Sequence, residues 1–285
     1  MANRFEKLNL KNRVFLAPME EVNDIAFRLL CKEAGAGLTW TPLTSPLDPR
    51  KQNLEDKPIL QIFATSKRGI KKFMKKYDSK VSGWDFNLGC PAATARQQGY
   101  GSYFKNIKLI EEILKEMRSS TKKPLIVKIR KSDISFKVLE IAEKYCDAIA
   151  IHPRTREQGY SGEPDLDFAL EIKKSSSIPV IYSGNVGEKN YKSFLEKFDF
   201  VMIGRAAIGH PEIFSKISGN KKFKRKFENY LDLAKKYGLP FRQIKFHAMQ
   251  FTKGVRGSRK IRNEMIKAKE VEELEKVVQS LFKSE

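Results

Sequence analysis

The chain has 285 residues, 41% of them hydrophobic, with 55 Lys/Arg against 34 Asp/Glu for a net charge of +21. That length serves one large domain, or one large and one small, and its apolar fraction can build a core. The absence of a long apolar run excludes a membrane span, and a charge this positive points to a polyanion, nucleic acid first, with a lysine-rich solvated surface as the alternative.

The opening "MANRFEKLNLKNRVF" carries charges where a signal peptide needs an apolar stretch, so a cytoplasmic protein is expected. Short runs rich in β-branched and aromatic residues follow at "VFLAPM" (14–19), "LTWTP" (38–42), "ILQIFA" (59–64) and "WDFNLG" (84–89). They continue at "LIVKIR" (125–130), "AIAIHP" (148–153), "VIYSG" (180–184) and "FVMIG" (200–204). Helical patterns fit between most of them, at 24–34, 67–77, 107–119, 136–145, 166–175 and 188–198. Parallel strands need crossovers, so this alternation of eight strands with helices predicts an α/β fold, a (β/α)8 TIM barrel. A doubly wound sheet is the alternative, but its GxGxxG turn is missing after the first strand.

Beyond Phe214 the pattern becomes helical, at 221–238, 241–254, 259–268 and 270–283. In the last of these, Val271, Leu274, Val277, Val278 and Leu281 form one apolar stripe. A catalytic barrel over 1–217 and a small, all-α, basic domain over 218–285 are expected. From Gly219 onward there are eighteen Lys/Arg against eight Asp/Glu, almost half the net excess.

Barrel chemistry sits at the C-terminal ends of the strands. There the sequence places Pro18-Met19, Gln61, Asp85 with Asn87 and Cys90, Lys128 with Arg130, His152 with Arg154 and Thr155, Ser183-Gly184-Asn185, and Gly204-Arg205. A lysine inside an apolar strand is costly unless it meets a partner. By alternation Lys128 and Arg130 share one face, which points either into the barrel mouth or outward to solvent. "SGN" and "GRAAIG" offer small residues and backbone N–H groups where barrels often hold phosphate. An inward Lys128 then suits an electron-accepting ring such as a flavin, whose reduced form is negative near N1 and O2. Gln61 has both a donor and an acceptor for the ring's pyrimidine edge.

The cysteines Cys31, Cys90 and Cys146 lie far apart, with no CxxC and no zinc spacing, so neither disulfide nor metal site is expected. Cys90 stands in the Gly/Pro loop "FNLGCPAATARQQGYGS". Its reactive options are nucleophile, with His152 as a base brought near in space, or general acid, since an ordinary thiol is protonated at neutral pH. Free cysteines are also commonly small core residues, the reading for Cys31 and Cys146.

Together "APM", "LQIFA", "DFNLGCPAA…GYGS", "VKIR", "HPRTREQGYSG", "IPVIYSGN" and "VMIGRAAIGHPEIF" resemble the tRNA-dihydrouridine synthases over about 14–214, and "TKGVRGSRKIRNEM" resembles that family's helical domain. The resemblance implies an FMN-bound barrel that reduces the C5=C6 bond of a uracil in tRNA, with NADPH or NADH reducing the flavin. It implies hydride transfer to C6 and protonation of C5 by Cys90. FMN contacts carry over to Pro18, Met19, Gln61, Lys128, His152, Ser183, Gly184, Asn185, Gly204 and Arg205. Asn87, Arg154 and Thr155 would face the uridine or its backbone. A uridine in folded RNA must be turned out to reach a flavin, so the rest of the tRNA needs phosphate contacts. Lys253, Arg256, Arg259 and Arg262, with Lys260 among them, form the densest candidate cluster. A monomer is expected. The chain departs from the family where Ala-Gly-Val-Thr-Asp becomes Glu20-Glu21-Val22-Asn23-Asp24 and Asn-Gly-Asp becomes Ser183-Gly184-Asn185. Two other readings remain: a flavin reductase of free pyrimidines, against which the basic tail counts, and a flavin-free RNA-binding protein, against which the polar strand ends count.

Overall fold

The computed structural model describes residues 4–5, 8, 10–49, 52–224, 227–253 and 258–282. Seven strands form one parallel sheet: β1 (Val14–Leu16), β2 (Ile59–Ile62), β3 (Gly83–Leu88), β4 (Leu125–Arg130), β5 (Ala148–His152), β6 (Val180–Ser183) and β7 (Phe200–Ile203). They pair in the order β1-β7-β6-β5-β4-β3-β2, leaving β1 and β2 at the two edges.

The expected strand at 38–42 is not a ladder. Segment 37–44 nevertheless joins the two edges and closes the barrel. Leu16 donates to the Leu38 carbonyl at 2.9 Å on one side, and Thr41 donates to Ile59 at 3.0 Å on the other. Trp40 and Thr44 make isolated parallel bridges to Ile59 and Ile62. Two features stop a regular strand from forming. Pro42 has no N–H to give, and the Trp40 carbonyl accepts from the side chain of the buried Asn23 at 2.9 Å.

Alternation sorts the side chains as expected for a barrel. Phe5, Phe15, Trp40, Ile59, Ile126, Ala148, Ala150, Ile181 and Met202 fill the interior. Phe200 stacks on Phe15 at 5.2 Å and meets Phe5 edge-on at 5.0 Å, plugging the lower end with aromatic rings. Residues of the opposite parity, such as Phe86, Val127, Ile129 and Ile151, pack outward against the helices.

Those helices are α1 (Ile25–Ala34), α2 (Ile70–Tyr77), α3 (Ala93–Gln98), α4 (Ile107–Ser120), α5 (Ser135–Tyr145), α6 (Leu166–Ser175) and α7 (Tyr191–Leu195). The pattern at 188–198 shortens to α7, and α3 arises inside the Cys90 loop, where no helix was expected. It is six residues long, too short for amphipathic periodicity to reveal.

Five further helices follow: α8 (Glu212–Ser218), α9 (Phe227–Lys236), α10 (Phe241–Phe251), α11 (Ser258–Lys267) and α12 (Val271–Phe282). Helices α8 and α9 both pack on α1. Asp24 ties the parts together. One carboxylate oxygen caps α1 by accepting from Phe27 N at 2.8 Å. The other accepts from Tyr230 Oη on α9 at 3.0 Å and lies 3.0 Å from His247 Nε2 on α10. Gly209 permits close approach to α10: a Cβ there would lie 2.3 Å from the Gln250 carbonyl, and its φ of +75° favours glycine. In the apolar stripe, Leu274 and Val278 are buried; the Leu281 side chain lies outside the described residues.

Glu21 occupies the family's glycine position and has a left-handed backbone, φ 58°, the region that favours glycine. For a residue with a Cβ this conformation costs about 1–2 kcal/mol. Its carboxylate reaches Arg242 of α10 at 3.0 Å, but the two side chains are 64% and 86% exposed. Such a surface pair is worth about 0–1 kcal/mol, so the strain dominates. Glu21→Gly is expected to raise the thermal midpoint by roughly 2 °C, and a lowered midpoint would show that the Arg242 pair outweighs the backbone.

Candidate active site at the barrel mouth

The inward residues of the upper strands are polar. Gln61 on β2, Asp85 and Asn87 on β3, Lys128 and Arg130 on β4, His152 on β5 and Ser183 on β6 follow the apolar interior toward the C-terminal end. The register aligns Asn87, Lys128 and Ala150 across three strands, and Ala150 belongs to the interior. Lys128 therefore points inward, and the outward alternative falls.

Asp85 is fully buried and accepts from Trp40 Nε1 at 2.9 Å and Gln61 Nε2 at 2.8 Å. Gln61 Oε1 accepts from Asn87 Nδ2 at 2.8 Å. Burial pushes the Asp85 carboxyl up to about 7, opposed by Gln61, Lys128 and Trp40. Burial pushes the Lys128 ammonium down to about 8, with the Asp85 charge opposing and Arg130 assisting. The Lys128 ammonium makes no hydrogen bond or close ion pair with another described residue, while its backbone stays in the ladder.

Burial also drives His152 down to about 2, reinforced by Lys128, Arg130, Arg154 and Arg205. The imidazole is neutral, and its buried Nδ1 has no partner among the described residues. Arg130, absent from the expected site set, is held by the carbonyls of Gly89 (2.9 Å), Thr155 (3.0 Å) and Gly159 (2.7 Å). Its guanidinium and that of Arg205 lie 5.3 and 4.9 Å from the ring of the exposed Tyr160.

The Cys90 loop is clamped from both sides. Gly89 N and Cys90 N donate to Asn87 Oδ1 at 3.1 and 2.9 Å. Ser102 donates to the Cys90 carbonyl through its N–H (3.1 Å) and its hydroxyl (2.9 Å). Gly101 lies against Cys90 so closely that a Cβ would come within 2.7 Å of the Cys90 carbonyl, at a φ of +62°. Behind the loop, Tyr100 stacks on Phe63 at 3.8 Å. The Cys90 thiol is half-buried, and burial raises its pKa above the ordinary value of 9.0; Glu20 also raises it, while the Ala92 backbone, Arg130 and Lys128 oppose. Cys31 and Cys146 are buried, as expected of core residues.

The loops after β6 and β7 meet at Asn185. Its Oδ1 accepts from Arg154 Nη2 at 3.1 Å and Arg205 Nη2 at 3.0 Å, and its Nδ2 donates to Glu163 at 3.0 Å. Asn185 has φ 50°, a left-handed conformation that asparagine tolerates. Arg154 is buried and also donates to the carbonyls of Ser161 and Gly162, so its guanidinium spans the loops; its Nη1 has no partner among the described residues. Gly184 and Ser183 are buried, while a Cβ placed on Gly204 would lie 3.7 Å from Ala17 Cβ and from Met19 Sδ. Pro18 and Met19 are half-buried beside them. Thr155 stands at the turn, its Oγ1 accepting from Gln158 N at 3.3 Å.

The expected RNA-contacting cations are outside this cluster. Lys253 and Arg259 are exposed, Arg262 is half-exposed, and Arg256 lies outside the described residues. A second basic face was missed. Lys67, Arg68, Lys71, Lys72, Lys75, Lys76 and Lys80, on and around α2, are all exposed. Asp78 is the one acidic residue between them in sequence, and it turns inward to Trp84 and Thr121 at 2.8 and 2.6 Å. This lysine density is visible in the sequence between residues 67 and 80. A cleft of about 1140 Å3 lies between the 20–28 and 52–57 segments and the α9–α10 connection. The strongly perturbed groups, Asp85, Lys128 and His152, converge instead at the mouth.

The family model described as "Dihydrouridine synthase (Dus)" matches residues 15–285. A tRNA-dihydrouridine synthase B of Xanthomonas axonopodis pv. citri is 33% identical over 72% of this chain and 69% of that protein. A probable tRNA-dihydrouridine synthase of Aquifex aeolicus is 29% identical over 94% of this chain and 96% of that protein. Among solved structures, the old yellow enzyme homologue of Zymomonas mobilis aligns with a TM-score of 0.55 over 78% of this chain and 92% of that one, at 11% identity, a likeness of fold. The barrel, its polar mouth and the match over nearly the whole length agree: this chain belongs to the dihydrouridine synthase family.

Proposed function

We propose that this protein is an FMN-dependent tRNA-dihydrouridine synthase, reducing the C5=C6 bond of uridines in tRNA at the expense of NADPH or NADH. The observation that carries this reading is a half-buried Cys90 thiol, its pKa raised by burial, over a mouth whose inner face holds Gln61, Lys128 and His152.

The residues present fit FMN. Buried polar atoms without partners are costly, and three lie here: Asp85 Oδ1, His152 Nδ1 and Arg154 Nη1. Gln61 spends one N–H on Asp85 and one lone pair on Asn87, leaving one donor and one acceptor for a ring edge. Lys128 supplies a fixed positive charge for the ring. Arg205, Asn185, Gly204, Gly184 and Ser183 would hold the phosphate, with Pro18, Met19 and His152 bounding the ring. When bound, FMN supplies the hydride that reduces C6 of the uracil. Cys90 gives its proton to C5 and regains one from water. Asn87 keeps the Cys90 loop in place and, with Arg154 and Thr155, borders the uridine.

In this reading residues 1–217 perform the chemistry and 218–285 hold the tRNA, aided by the basic face of α2. Each phosphate contact contributes roughly one unit to the logarithmic salt dependence of binding. Replacing Lys253, Arg259 and Arg262 by Gln is therefore expected to weaken tRNA binding and to reduce that slope by about two to three. Replacing Lys71, Lys72, Lys75 and Lys76 is the matching test of α2. Binding unchanged across a salt series in either set would remove that surface from the account. Formation of dihydrouridine in an unmodified tRNA transcript, supplied with FMN and NADPH, tests the activity itself.

A further inference from the structure

We propose that Asp85 is a positioning residue for Cys90, acting through Gln61 and Asn87. A continuous chain of side-chain hydrogen bonds runs from Trp40 Nε1 to Asp85 Oδ2 (2.9 Å), from Gln61 Nε2 to the same oxygen (2.8 Å), from Asn87 Nδ2 to Gln61 Oε1 (2.8 Å) and from Cys90 N to Asn87 Oδ1 (2.9 Å). Asp85, Gln61 and Asn87 are 0%, 1% and 7% exposed, so water does not compete for these bonds.

The chain has only one self-consistent direction. Backbone N–H groups can only donate, so Asn87 must turn its carbonyl toward Gly89 and Cys90. Its NH2 group then faces Gln61, whose carbonyl accepts it. That leaves the Gln61 NH2 group for the Asp85 oxygen that also accepts from Trp40. Neither amide can flip without stranding a buried group. Trp40 fixes the carboxylate from the closing segment, so three separate parts of the chain set where the Cys90 loop stands. Asp85 has no role in the proposed chemical step, and the assignment uses that proposal only for what the thiol is for.

The test is the rate at which iodoacetamide alkylates Cys90 in the full-length protein saturated with FMN, read by peptide mass spectrometry. The buried Cys31 and Cys146 are internal references for an intact fold. Asn87→Ala, Gln61→Met and Asp85→Ala should each free the loop and raise the rate about fivefold, as loss of one net hydrogen bond implies. Asp85→Ala combined with Asn87→Ala should be no faster than Asn87→Ala alone. Asp85→Asn, which keeps an acceptor toward Gln61 and Trp40, should stay within about twofold of the parent. The relay is overturned if Gln61→Met leaves the rate at the parent value, or if Asp85→Ala acts equally in the parent and the Asn87→Ala background. Gln61→Met leaves Asp85 and its Trp40 bond intact, so it decides the matter even where Asp85→Ala does not fold. A protein that takes up no flavin would count against the proposed activity, while the same comparison, run without it, still decides the relay.

Discussion

Cys90→Ala is expected to lower dihydrouridine formation by about 10²–10⁴-fold, the usual share of a positioned general acid, while leaving FMN and tRNA binding near the parent values. The thiol suits this role for reasons visible around it. Burial raises its pKa above 9.0, so it carries its proton at neutral pH. Asn87 and Ser102 hold its backbone from both sides. The nucleophile alternative needs a base to take that proton. His152 cannot serve, because four cations and burial drive it down to about 2. Turnover with tRNA is the measurement, beside flavin absorbance and tRNA binding. Full turnover in Cys90→Ala would remove it as the essential acid.

Lys128→Met is expected to reduce turnover by about 10²–10³-fold, the loss typical when one preorganised electrostatic contact is removed. It should also make the midpoint potential of the bound flavin more negative. The sign follows from charge: a reduced flavin is negative near N1 and O2, and a fixed cation stabilises it over the oxidised form. Methionine keeps the apolar stem and removes the ammonium, so the interior need not repack. Burial lowers Lys128 to about 8, and a lysine is charged below its pKa. The difference in potential between parent and variant should therefore shrink as pH rises above about 8. Spectroelectrochemical titration of parent and variant checks both statements. An unchanged potential would mean that the charge is not felt by the ring.

These expectations depend on features that differ in how legible they were. The alternation of apolar strands and helices announced the barrel, and parity along "LIVKIR" placed Lys128 and Arg130 on one face. The inward direction of that face needed the register of β3, β4 and β5. Segment 38–42 has strand-like composition but not strand structure, because its outcome turned on a side-chain bond from Asn23. The Asp85 relay was illegible for the same reason. Trp40 and Asp85 are 45 residues apart, and only closure of the sheet brings them to 2.9 Å. Arg130, Tyr160 and Arg205 converge because loops from different strands meet over the mouth, which spacing along one chain does not encode. At the Glu20-Glu21 departure, Glu21 holds a left-handed backbone at a cost in strain, which the sequence alone does not show.

The central claim is that this mouth reduces uridine within tRNA. Its most direct test supplies an unmodified tRNA transcript, FMN and deuterated NADPH to the purified protein, followed by digestion and nucleoside mass spectrometry. The account predicts dihydrouridine at defined positions, carrying label at C6 and solvent hydrogen at C5, and almost none with Cys90→Ala. Reduction of free uracil or uridine with the tRNA left untouched would contradict it.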